Sequence, residues 1–178
     1  MSCMSCNQLS FLPQGLAVQA ISDDADTPSF SADRLANRRV MLNASNGSLG
    51  PLPNSPLHSP LNIVSTSINT QRIGPTDNLI NFCGILYLPA GASVNLIVQV
   101  RRISAAGQSI FLGGAFSLVR NATAAQSDTF NFQVFDPDVQ PGNYTYSAEL
   151  SDNSTISGNL GPTICNAVFS VLAVSNRS

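Results

Sequence analysis

Lysine is absent from this chain of 178 residues: all eight basic residues are arginine. Tryptophan is absent too, and there is one glutamate, Glu149, and one histidine, His58. Charged residues make up 10% of the chain, against roughly 25% in ordinary soluble proteins. A net charge of −2 gives no electrostatic basis for holding nucleic acid or an anionic membrane. No apolar run reaches the roughly 18–20 residues of a membrane-spanning helix. His58 stands among prolines and serines, so a hydrolase triad has no placed base. With Glu149 alone, paired-carboxylate chemistry would fall to aspartates. No phosphate-cradling loop or dinucleotide fingerprint occurs. These absences predict a protein that is not an enzyme and uses no cofactor or metal.

Hydrophobic residues supply 43% of the chain, enough for one packed domain. From residue 61 onward they alternate. Ile63 and Val64 centre the stretch Leu61–Asn69, and Leu79–Leu88 is a longer apolar run. Val94, Leu96, Val98 and Val100 alternate with Asn95, Ile97, Gln99 and Arg101. Ile110–Val119 follows, interrupted by Gly113-Gly114, which reads as a bulge. Phe130, Phe132 and Val134, then Tyr144, Tyr146, Ala148 and Leu150, continue the pattern, and Thr163–Val174 closes it. A period of two marks strands with one buried face. No 3.6-residue period spans ten residues. Seven or eight short strands separated by turn chemistry predict an all-β sandwich.

The organisation expected is a connector over residues 1–20 and a sandwich domain over 21–178. Residues 21–60 are turn-rich and 61–178 carry the main strands. Asn46-Gly47-Ser48 reads as a turn, and Arg34 to Leu42 as a short strand or a helical turn. Asp136-Pro137-Asp138 reads as a proline turn rather than a calcium loop, and Asp23, Asp24 and Asp26 as a solvated loop. The N-terminus has no basic n-region and too short an apolar run for a signal peptide.

The four cysteines are the chemistry-bearing residues. Cys3 and Cys6 form a Cys-x-x-Cys within the first six residues, while Cys83 and Cys165 lie in strand patterns. Cys-x-x-Cys serves as a redox pair, as half a zinc site, or as two separate outward hooks. A redox pair wants a helix N-terminus in a βαβ setting, which the pattern does not offer. For Cys83 and Cys165 the plain alternative is a small buried hydrophobe.

Several motifs then combine. Arg101-Arg102 ends a strand, a Gly-Gly strand follows, and Ser127-Asp128-Thr129-Phe130-Asn131-Phe132 comes next. Asp136-x-x-x-x-Pro141-Gly142-x-Tyr144-x-Tyr146 and Ile164-x-Asn166-Ala167 complete the series. Over about the last 80 residues the chain resembles the small jelly-roll proteins of spore-forming Firmicutes, among them the subunits of endospore appendages. The resemblance implies a jelly-roll sandwich of about eight strands with an extended N-terminal connector. It implies a structural subunit that polymerises with copies of itself into a spore-surface fibre, with an anchoring or tip protein as a further partner. It further implies intersubunit disulfides from Cys3 and Cys6 of one copy to Cys83 and Cys165 of its neighbours. It places the protein outside the cell on the spore, made in the mother-cell cytoplasm without a signal peptide. The chain departs from the family in having Cys-x-x-Cys where connectors often carry adjacent cysteines. The competing reading is a jelly-roll binding module that forms a trimeric head or a lectin-like tip and does not polymerise.

Overall fold

The computed structural model describes residues 39–176. Nine strands follow in chain order, and among the described residues there is no helix. They are β1 (Val40–Leu49), β2 (Leu61–Asn69), β3 (Thr76–Leu88), β4 (Ser93–Ser104), β5 (Ser109–Asn121), β6 (Gln126–Val139), β7 (Asn143–Leu150), β8 (Thr155–Ser157) and β9 (Thr163–Ser175).

Two antiparallel sheets result. One has the order β1-β9-β3-β6 and the other β2-β7-β4-β5, with the short β8 beside β4. Apart from the β4–β5 hairpin, successive long strands alternate between the sheets in the interleaved order of two Greek keys, which is the jelly roll. The alternating residues read from the sequence form the core. Ile80, Phe82, Leu86, Phe169 and Val171 of the first sheet meet Val94, Leu96, Val98, Ala148 and Leu150 of the second. Aromatic rings join the layers: Phe132 stacks on Phe82 at 4.9 Å between centroids and on Phe116 of the facing sheet at 4.0 Å. Aromatic pairs add about 0.5–1.5 kcal/mol each beyond the area they bury.

Three expectations need correction. Asn46-Gly47-Ser48 is no turn; it lies within β1, paired with β9. Gly47 is needed because β2 packs on it: a Cβ there would meet the carbonyl oxygen and side chain of Ile63 and Val64. Of the stretch from Arg34 to Leu42, read as a short strand or a helical turn, residues 34–38 lie outside the described residues; its end is strand, and β1 runs on to Leu49, so the turn-rich region supplies an edge strand. Asp136-Pro137-Asp138 does not break the chain either, because β6 runs on to Val139 and Asn78 of β3 pairs opposite Asp136. Proline is tolerated there because β6 is an edge strand. Gly113-Gly114 is the bulge the sequence suggests. The β4–β5 register slips between Val98 and Val100, and Gly113 has φ of 63°.

Candidate functional site

Cys3 and Cys6 lie outside the described residues, as do Asp23, Asp24 and Asp26. Cys83 and Cys165 lie within them, on adjacent strands β3 and β9. Cys83 is opposite Val168 and Cys165 opposite Ile85, with a bulge between the two pairs. Asn166, at φ of 50°, takes the left-handed conformation of that bulge. Both cysteines are half-buried and occupy the phase of the strand that points away from the core, whereas Phe82 and Ile164 point into it. The plain reading of these two as core hydrophobes therefore fails: they share the outer face of the four-stranded sheet. His58 is exposed in the connection between β1 and β2. Glu149 lies on the outer face of the other sheet, 2.9 Å from Arg101, and accepts a hydrogen bond from Ser147.

A second locus went unread in the sequence. Arg102 Nη1 donates to both carboxylate oxygens of Asp136, at 2.8 and 2.7 Å. Tyr146 Oη donates to Asp136 Oδ2 at 2.8 Å, and Asn78 Nδ2 donates to Tyr146 Oη at 2.7 Å. Asn78 and Asp136 are register partners in one sheet, and Arg102 and Tyr146 are register partners in the other. The four groups thus clasp the two layers together. Asn78 and Tyr146 are fully buried and Asp136 is nearly so. Burial and the neighbouring Asp136 carboxylate push the Tyr146 phenol well above its ordinary 10.0. Burial by itself would lower the Arg102 guanidinium, but the charge and hydrogen bonds of Asp136 outweigh it and raise it.

A cleft of about 360 Å³ opens beside the clasp, lined in part by Arg102, Gln108, Asp136, Gln140 and Tyr144. The guanidinium that faces it is already neutralised by Asp136, so the cleft has little pull on an anion. Removing Asp136 alone would leave that charge without a partner, at a cost of about 3 kcal/mol. Among the described residues, no group of three or more His, Cys, Asp or Glu gathers to hold a metal.

Strand order and clasp together define the class: a jelly-roll β-sandwich whose layers are locked by an interior ion pair. No protein-family model and no curated protein matches the chain. Among solved structures it is similar to the VP2 subviral particle of infectious bursal disease virus, at 14% identity and a TM-score of 0.46. That match covers 89% of this chain but only 37% of the VP2 chain. It is also similar to the CBM22-1 xylan-binding domain of Paenibacillus barcinonensis Xyn10C, at 12% identity and a TM-score of 0.35. There 78% of this chain and 83% of that domain are covered. The fold assignment rests on the strand order itself.

Proposed function

We propose that this chain is a structural subunit that builds a proteinaceous fibre from copies of itself, of the endospore-appendage kind. One observation carries the reading. The edge strands β1 and β2, of ten and nine residues, contain no charged residue and no proline. Sandwich proteins that stay monomeric blunt such edges with lysine, inward charge or proline. Here the two edges lie on one side of the sandwich, with a bridge from Asn43 Nδ2 to the Ser67 carbonyl at 2.6 Å. Head-to-tail pairing of such edges gives rings or filaments.

The covalent part adds disulfides from Cys3 or Cys6 of one copy to Cys83 or Cys165 of another. Its support is the shared outward face of Cys83 and Cys165, which presents both to one approaching connector. Pulling on a fibre loads every subunit contact, and a disulfide does not slip unless it is reduced. The bonds would close after release into an oxidising setting at the spore surface.

Non-reducing denaturing gels test this part. The oxidised protein should run as a ladder that collapses to one band on reduction. A clean monomer band without reductant would refute the staples and leave only edge contacts.

A further inference from the structure

The outer face of the four-stranded sheet carries an apolar strip that its own layer does not use. Leu42, Leu172, Leu79 and Phe135 are successive register partners across β1, β9, β3 and β6. Leu42 is 67% and Phe135 60% exposed, and Leu172 and Leu79 are half-buried between them. The next row on one side is polar or small: Ala44, Ser170, Asn81 and Gln133. On the other side Val40 and Val174 lead to Asp77. The strip is therefore three strand spacings long, about 14 Å, and little more than one row tall.

That shape selects the occupant. A second copy stacked face to face would rest on far less than the roughly 800 Å² per partner of a stable pair. A single extended segment lying across the strands matches the strip, since six residues at about 3.3 Å each reach about 20 Å. The sequence carries an alternating apolar stretch upstream. Leu16, Val18 and Ala20 alternate with Ala17 and Gln19, and Ile21 follows. The chain enters the sheet at Val40, whose side chain is 58% exposed on this same face, two residues from Leu42. Seventeen residues, 22–38, separate that stretch from the sheet; a chain of that length spans up to about 60 Å, so the strip is within its range.

We propose that residues 16–21 lie across the Leu42–Leu172–Leu79–Phe135 strip of their own chain in the unassembled subunit. A tether of this length gives an effective concentration of order mM, so the segment covers its own strip in preference to a neighbour's in dilute solution. The proposal does not depend on the fibre reading, and it adds a step to it. The connector must leave its own sheet before it reaches another, so assembly starts with a lag.

The test places Val18→Cys and Phe135→Cys in a background where Cys3, Cys6, Cys83 and Cys165 are serine. The protein is oxidised at low micromolar concentration, and the linked peptides are mapped by mass. An intramolecular 18–135 link should form at least tenfold faster than in a control pairing Val18→Cys with Val119→Cys, an exposed position on the opposite sheet. Links between copies, or a rate equal to the control, would overturn own-chain covering. An independent measurement uses native cysteines and a dye that brightens on apolar surface. Deleting residues 1–21 should raise its fluorescence several-fold, and Phe135→Ser with Leu172→Ser should cancel the rise. Unchanged fluorescence on deletion would contradict the proposal, whatever the polymerisation assays show.

Discussion

Arg102 and Asp136 meet from facing sheets although 34 residues separate them in sequence. Their pairing was partly legible. Val94, Leu96, Val98 and Val100 point inward, and Arg102 continues their phase. Phe132 and Val134 point inward, and Asp136 continues theirs. Asn78 and Tyr146 extend the inward phases of β3 and β7 in the same way. Polar residues in an apolar phase ask for partners, but which strands face each other is a tertiary matter that periodicity does not encode. Tyr146 gives this scale its prediction. Its proton is held more tightly in the fold than in the unfolded chain, where the phenol has its ordinary 10.0. The contribution is complete below pH 10. It is lost as pH rises above that value, because the unfolded chain sheds the proton first. Denaturant titrations of Tyr146→Phe should show a loss of about 1–2 kcal/mol at pH 7, from the Asn78 amide left without its acceptor and the bond lost to Asp136, which keeps Arg102. Above pH 10 the variant should lose stability less steeply than the parent, by up to about 1.4 kcal/mol per pH unit. Parallel slopes in the two proteins would count against the buried phenol.

At the scale of elements, strands with a sustained apolar inward phase are easier to read than strands without one. The edge strand β2 matches its expected span of Leu61–Asn69, and the central β4 keeps strict alternation through Val100. Only the start of β1 is legible, because its inward positions include Ser45 and Gly47 while Val40 and Leu42 point outward, and Asn46-Gly47-Ser48 imitates a turn. β6 was cut short because proline usually ends a strand, and only an edge position lets it continue. The edges also carry the assembly reading, which can be tested there. Ala44→Lys in β1 together with Ser65→Lys in β2 places charges on two exposed positions. Light scattering should show self-association suppressed at least tenfold. The unfolding free energy should change by only about 0.5 kcal/mol per site, as for ordinary surface substitutions. Undiminished association of this double variant would remove β1 and β2 from the interface.

For the whole molecule, the sandwich follows from composition and period, and the jelly-roll order followed from the resemblance rather than from any spacing. The described sandwich begins at Arg39, which leaves the connector of residues 1–20 as sequence evidence alone. Cys83 and Cys165 were singled out by their place in strand patterns, but their common outward face could not be read. Each lies in a run of mostly apolar residues, and the bulge at Asn166 shifts the phase between Cys165 and Val168. A body with few charges, two edge strands free of charge and proline on one side, and two outward cysteines on one sheet is suited to meeting copies of itself. Electron microscopy of the purified full chain, alone and under oxidising conditions, tests that central claim most directly. Filaments of uniform width that form without any other protein are the predicted result. Discrete trimers or monomers that never elongate would contradict it and favour a binding module.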